Sequence, residues 1–430
     1  MPDAGLPANP AGTTRPVGTA EPETPLSRNR NYHILWASQL LSESGKEIAF
    51  VAFPLLVLVS SGSPLRMGVA SSILAAASVA ASVPAGILAD RVDRRKLMLL
   101  CEGLRALGLA SIALVQFTGS LSFAHIMIVA ALEGALGSVF EPAEHAALPQ
   151  VVPRSQLANA VARNTARPFI AILLGPALAG LAFAAHPALP FTVEAVALTA
   201  SFVVLLFLRL PPRTGEPAPR QAFRAMAEGF RWALGRQTIR STLVYSVFIN
   251  LAFHAVILLV LAISGEDNVG PGQIGLTMAC LGAGGLLGGL FAAKLHAALP
   301  APLIVIGFAW VATVMTALMV TVPRGLPLGL LLAGAAFLAP LANTTVVSYQ
   351  LMITPDELRG RLSGISALGS GAAGAVGPLV TGSVLTLTGS GTTSIVVCAA
   401  AMALIAAGAT LSPTLRRFPT IRAEDEDHRT

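Results

Sequence analysis

The chain has 430 residues, of which 54% are hydrophobic and only 12% charged, with a mean hydropathy of +0.71. Soluble domains are about a quarter charged, so this composition excludes an ordinary water-soluble enzyme or binding domain and points to an all-α chain that crosses a membrane many times. The formal charge of +6 does not indicate a nucleic-acid partner, because the basic residues lie between apolar blocks rather than on one domain face.

Residues 1–30 are rich in Pro, Gly, Thr and Ala, and no basic region precedes an apolar stretch there. They read as a disordered tail, not a signal peptide. Twelve apolar spans follow, each near the 20 or so residues that bridge a bilayer at about 1.5 Å rise per residue. Their expected bounds are His33–Ser60, Met67–Ala89, Leu97–Phe117, Ser122–Phe140, Leu157–Ala184 and Leu189–Leu208, then Ser241–Ile263, Gln273–Ala293, Ala301–Val322, Leu326–Gln350, Leu362–Leu387 and Thr392–Leu411. The domain plan is a tail (1–30), a six-helix bundle (31–208), a linker (209–240), a second six-helix bundle (241–412) and a final tail (413–430). The linker begins PPRTGEPAP and then places Phe223, Met226, Phe230 and Leu234 at three- and four-residue spacing, with Arg224, Arg231 and Arg236 elsewhere around the helix. That pattern predicts an amphipathic helix on the membrane surface.

Basic residues fall on one side of this plan: Arg28, Arg30, Arg91, Arg94, Arg95, Lys96, Arg154, the linker arginines, Lys294, Arg359, Arg361, Arg416 and Arg417. The opposite side has only Arg66 and Arg324, with the acidic pair Glu266 and Asp267. Both termini are therefore expected in the cytoplasm of a plasma-membrane protein. An internal repeat supports two halves. One constant offset carries Pro153 onto Pro355, Pro176 onto Pro378 and Gly86 onto Gly288, so VVPRSQL…GPALAG is echoed by ITPDELR…GPLVTG. Two six-span halves in parallel repeat is a plan used by many secondary transporters. Cys101, Cys280 and Cys398 lie inside predicted spans and show neither metal spacing nor a disulfide framework.

Between spans two and three the chain reads GILADRVDRRKL. This resembles the loop signature G-x-x-x-D-R-x-G-R-R/K of the major facilitator superfamily, with matches at Gly86, Asp90, Arg91, Arg94 and Arg95. Asp93 stands where the general pattern has glycine. That feature, with Pro142, Ala143, Ala146 and Pro149 after span four, is similar to the branch of enterobactin exporters and macrolide-efflux permeases. The resemblance covers residues 28 to about 411. It implies a latch in which Asp90 sits against the start of span eleven, near Leu358–Gly360, when the site faces outward. Physically, Gly86 would let helices approach closely, and Asp90 would pair with Arg94 or Arg95, or meet a helix N-terminus. GPALAG, with Gly175, Pro176 and Gly180, resembles the Gly-Pro motif of antiporters in this superfamily. Gly377 and Pro378 form its partial copy, and both also suit close helix packing.

In the first span SESGKE sets Glu43, Lys46 and Glu47 near mid-membrane, where each charge costs about 2.5–3.5 kcal/mol and is functional by default. Their three- and four-residue spacing lets them share a face. Glu133 and Arg167 lie at similar depth, and the expected pairing is Glu133–Arg167 or Glu47–Arg167. Glu102 and Arg105 read as a local pair, Glu141, Glu144 and His145 as interfacial, and Glu194 as a residue two turns from the outer face. Asn250 and His254, four apart, form either a polar cavity face or a packing site with a hydrogen-bonded histidine. Family exporters tend to carry a single acid after the span-one glycine, where this chain has Lys46 and then Glu47. The span-four arginine of drug–proton antiporters is replaced by Ala130.

The resemblance implies proton-coupled efflux of a medium-sized organic compound, such as a siderophore, macrolide or other natural product, by alternating access. A nutrient importer on the same fold is the alternative. No cofactor or metal is expected, the proton gradient being the energy source, and the partners are a small molecule and the bilayer, with a monomeric chain. No phosphate loop, HExxH or GxSxG run supports an ATP-driven or enzymatic reading.

Overall fold

The computed structural model describes residues 25–119, 121–210, 222–267 and 269–418. Among these the regular structure is helical, with no strand. The first half contains α1 (Arg30–Ser61), α2 (Pro64–Arg91), α3 (Arg94–Thr118), α4 (Phe123–Val151), α5 (Leu157–Ala185) and α6 (Leu189–Leu205). Helix α7 (Ala222–Gly235) precedes the second half, which contains α8 (Gln237–Glu266), α9 (Pro271–Ala298), α10 (Ala301–Leu318), α11 (Leu326–Met352), α12 (Asp356–Thr388) and α13 (Gly391–Leu411), followed by the short α14 (Pro413–Arg416). Eleven of these are long and apolar enough to cross a membrane. The twelfth apolar helix, α6, has 17 residues, which gives it a length of about 26 Å.

Several ends differ from expectation for local reasons. From sequence, the fourth span ends at Phe140, but α4 continues to Val151 through Pro142 and Pro149. Membrane helices tolerate proline because neighbouring groups satisfy the freed backbone. Here the guanidinium of Arg94 donates to the Ala146 carbonyl at 2.7 Å. Helix α6 stops short of Leu208, where Arg95 donates to the carbonyls of Leu205 and Leu206, a common way to close a helix C-terminus. Asp93 accepts from the Lys96 amide at 2.9 Å and caps α3. Residues 25–30, expected in the tail, are structured: Leu26 is buried and the Asn29 amide donates to the Val151 carbonyl at 2.6 Å. The remainder of that expected tail, 1–24, the PPRTGEPAP stretch and residues 419–430 lie outside the described residues.

The two halves repeat one packing scheme. α2 lies on α4 as α9 lies on α11; α1 lies on α5 and α6 as α8 lies on α12 and α13; α3 lies on α6 as α10 lies on α13. Glycine sets these crossings. A Cβ on Gly134 would collide with the Leu74 carbonyl, and one on Gly284 or Gly288 with the carbonyls of Ala333 or Phe337. The glycine-rich GAGGLLGG run is thus the seat of α11.

Between halves, α2 packs on α12 and α5 on α9, again related by the repeat. These contacts concentrate at the end of the bundle away from the start of α1, called here the far end. A Cβ on Gly68 would lie 2.5 Å from the Pro378 carbonyl, and one on Gly275 would lie 2.6 Å from Gly180 Cα. Leu58 of α1 meets Gly265 of α8 there too. At the near end Gly86, Gly360 and Gly364 have nothing within 4 Å of an added Cβ. The halves are therefore clasped at the far end and parted at the near end. The close approach expected of Gly86 is absent in this arrangement. Asp90, Arg94 and Arg95 do not pair as expected, since both arginines are spent on backbone carbonyls and neither Asp90 nor Arg91 has an ion-pair partner among the described residues.

Helix α7 is less of a membrane strut than its pattern suggests. Phe230 and Leu234 are exposed, as an interfacial face requires, but Ala233 is buried with Ile239, Leu243, Leu362 and Ile365. Gly229 packs on Arg361, which pairs with Glu228 at 3.4 Å. The side chains of Phe223 and Met226 lie outside the described set.

The far-end clasp gives a direct test. In Gly275→Val the added atoms meet backbone, not a flexible side chain, and overpacking of this kind costs about 1–3 kcal/mol. With the three native cysteines replaced by serine, a cysteine in place of the buried Ala279, one turn from Gly275 between the two glycines of α9 that meet α5, should be inert to a membrane-impermeant maleimide in the parent and become reactive in the Gly275→Val variant. Equal labelling would show that the glycine crossing does not hold that end shut.

Candidate functional site

Two groups of charges lie within the first half, on opposite sides of α1. The first faces the space between halves. Arg167 of α5 donates Nε to Glu43 Oε2 at 2.9 Å and a terminal nitrogen to Oε1 at 3.0 Å, the bidentate geometry that suits a guanidinium and a carboxylate. Arg167 is buried and Glu43 is a quarter exposed. Lys46 Nζ lies 3.4 Å from Glu141 on α4, and both side chains reach the surface of the cleft. Glu47 packs its Cβ against Gly175 of α5 and has no charged partner among the described residues. Glu144, one turn along α4 from Glu141, is buried with neither carboxyl oxygen hydrogen-bonded. His145 is 3.6 Å from it.

The second group is sealed in the bundle. Arg105 of α3 is fully buried. It donates Nε to both oxygens of Glu133 at 2.9 Å and a terminal nitrogen to Glu133 as well. Its other terminal nitrogen donates to Ser42 Oγ of α1 at 2.7 Å and to Glu102 Oε1 at 3.2 Å. Glu194 of α6 completes the group, also with no exposure.

This arrangement corrects the expected pairings. Glu133 meets Arg105, not Arg167, and so belongs to the interior of the first half rather than to the cleft. Arg167 meets Glu43, not Glu47. Glu102 and Arg105 do form a local pair, but as part of a larger buried set. Glu141 and Glu144, expected at an interface, stand with the charges of the cleft. That signal was lost because the Pro142 and Pro149 positions shortened the expected helix. Glu194 was visible only as an isolated acid, since its neighbours come from three other segments.

The second half contributes little charge. Asn250 donates to the Ser246 carbonyl at 2.7 Å. His254 packs edge-on against Phe50 of α1 and Phe253, beside Gly374 and Gly377. It makes no hydrogen bond among the described residues, so of the two expected settings the packing one fits, without the hydrogen bond. Gly175 and Gly377 play related parts: the first seats α5 on α1, the second seats α12 on α8. Among the described residues no group of His, Cys, Asp and Glu has metal-binding spacing.

Two repeated helical bundles around a cleft, clasped at one end and lined on one wall by intramembrane charge, define a transporter rather than an enzyme. The family model described as transmembrane secretion effector matches residues 20–429, and the chain belongs to that family, within the major facilitator superfamily. It is 25% identical over 344 residues to the enterobactin exporter EntS of Escherichia coli O127:H6, covering 77% of this chain and 81% of that one. Among solved structures it is similar to the nucleoside transporter NupG, with a TM-score of 0.74 at 11% identity over 90% of this chain and all of the other. A bacterial homologue of the human lysosomal transporter Spinster gives 0.72 at 15% identity, over 91% and 98% of the two chains. The fold is that of the major facilitator superfamily, and the chain is a multi-pass membrane transporter.

Removing the one cation of the sealed group should be costly, because breaking a buried pair from one side loses about 3–5 kcal/mol. Arg105→Met should lower the melting temperature of detergent-solubilised protein sharply, and adding Glu133→Leu should recover part of the loss. Additive losses in the double variant would show that the two side chains do not act as a pair.

Proposed function

We propose that the chain exports a medium-sized organic compound, of the siderophore, macrolide or related natural-product kind, from the cytoplasm across the plasma membrane in exchange for protons. The observation that carries this reading is the charged wall of the cleft. Glu43, Glu47, Glu141 and Glu144 face only Lys46 and Arg167 among the paired cations. A cleft with more acids than bases can bind a proton or a cationic substrate in exchange, and desolvation favours the neutral acid. The family and the enterobactin exporter similarity support outward movement of product. The near end, with the basic loops, is then cytoplasmic by the positive-inside rule, and the near-end opening is the inward-facing state. The monomeric state is part of the same reading.

The bidentate Arg167–Glu43 pair supplies the coupling step. In the inward-facing state the Arg167 guanidinium lies bidentate against the Glu43 carboxyl group and ties α5 to α1. A proton arriving at Glu43 frees Arg167, loosens α5 from α1 at the Gly175 seat, and lets the halves rock. Asp90 and the start of α12 would then close the near end in the opposite state, with Gly86 at the crossing. Glu47 and Glu144 are the further candidate carriers, and Asn250 is the polar candidate on the facing half, with His254 packed behind it. Glu133 joins this scheme only indirectly, through the sealed group that positions α1.

Everted vesicles test the reading. With a catecholate siderophore or erythromycin as probe, an inward-acid gradient should drive uptake in wild type. Glu43→Gln should cut that uptake at least about tenfold, which corresponds to 1.4 kcal/mol, while leaving exchange of labelled for unlabelled probe intact. Cells lacking the gene should retain more of the exported compound. Retention of less would favour an importer, and gradient-driven uptake unchanged by Glu43→Gln would remove Glu43 from the coupling step.

A further inference from the structure

The sealed group has an unbalanced charge count. It contains three carboxyl groups, Glu102, Glu133 and Glu194, and one guanidinium, Arg105. Arg105 satisfies Glu133 through both oxygens and gives Glu102 a single bond. Glu102 Oε2 and both oxygens of Glu194 have no hydrogen-bond partner, although neither residue has any exposed surface. The charged and titratable groups acting on Glu194 are Arg105 and Glu102 on α3 and Glu133 on α4. On α1, which also packs on α6, Glu43 and Lys46 are turned to Arg167 and Glu141. The remaining neighbour on α3 is Cys101. α5, which also packs on α6, carries Arg163 and Arg167; the first is exposed and the second is committed to Glu43. One guanidinium therefore serves Glu133 and Glu102 together, and the third carboxyl, Glu194, has no cation within hydrogen-bond reach.

Fully buried ions without partners cost several kcal/mol each, and such groups neutralise instead. We propose that Glu194 and Glu102 form a proton-binding site within the first half, walled off from the central cleft by α1, in which both carboxyl groups carry a proton while Arg105 and Glu133 remain an ion pair. Protonated, each acid no longer needs a counter-cation and gains an O–H donor.

The packing of α1 fits a site made for this acid. A Cβ on Gly45 would lie 3.3 Å from both Cγ and Oε1 of Glu194, so the glycine of SESGKE leaves the room that the carboxyl occupies. Gly137 of α4 marks a thin place in the wall. The position of its missing Cβ is 3.1 Å from Cε of Lys46 and 3.9 Å from Cζ of Arg105. The lysine stem of the cleft and the guanidinium of the sealed group thus approach the same glycine. The inference is independent of the export reading, because its test detects bound protons and not transport.

Infrared spectroscopy of the full-length protein in liposomes tests it. At neutral pH the difference spectrum of wild type minus Glu194→Gln should contain a protonated-carboxyl C=O band that shifts in heavy water, and so should wild type minus Glu102→Gln. In Glu133→Gln the cation is released to Glu102, so the Glu102 band should vanish and the Glu194 band persist. Gly45→Ala, which presses on Glu194 without removing it, should move the Glu194 band while retaining its intensity. A carboxylate signal in place of the acid band in the Glu194→Gln difference would overturn the proposal. Loss of the acid bands when choline chloride is exchanged for sodium chloride would also overturn it, assigning the site to sodium ions.

Discussion

A guanidinium with no exposed surface must have its donors met inside the protein, and Arg105 meets this demand with one acid on α4, one on its own helix and a serine on α1. Three helices are thereby fixed around one charge. The alternative, a bare cation in a low-dielectric interior, is far more costly than the entropy of ordering the partners. Much of the first half follows from this. Because Ser42 is held toward Arg105, the next residues of α1 turn Glu43 toward α5 and Lys46 toward α4. The arrangement of the cleft wall is thus set from behind by a group that the cleft does not contain.

The two halves share a packing scheme but not a chemistry. The same glycine positions seat α5 on α1 and α12 on α8, and the same helix pairs cross between halves. Yet the first half places carboxylates and cations along those helices, while the second offers Asn250, His254 and small residues. Backbone-to-backbone crossings need no matched side chains, so glycine contacts at the far end can serve a pivot without constraining what each half displays in the cleft. One half can specialise in charge and the other in shape.

Much of this was legible in the chain. Spans announce themselves by length and hydropathy, the repeat by two proline pairs, and the loop between α2 and α3 by its clustered Gly, Asp and Arg. Helix ends were harder, because Pro142 and Pro149 look like terminators until the surrounding helices that accept them are known. Of the intramembrane charge pairs, only the neighbouring Glu102 and Arg105 were legible. Depth alone made Glu133 and Arg167 suitable partners, but depth does not say which side of α1 a residue faces. That depends on the helix rotations fixed by contacts such as Gly134 on Leu74 and Gly45 on Glu194. Asp93 is an intermediate case: its family-like position was readable, while its physical task, capping α3, emerged only from the backbone.

Helix α7 belongs to the second half by its main contacts: it packs on α8 and α12, and Glu228 grips Arg361 in the opening turns of α12. The connection between the halves is therefore not a slack ribbon along its whole length. Its latter part is luggage strapped to one passenger, and any swing of that half carries α7 with it through the near-end headgroup layer. A dye on the exposed Phe230 face would then act as a tilt gauge for the second half, readable without altering a single membrane-spanning residue.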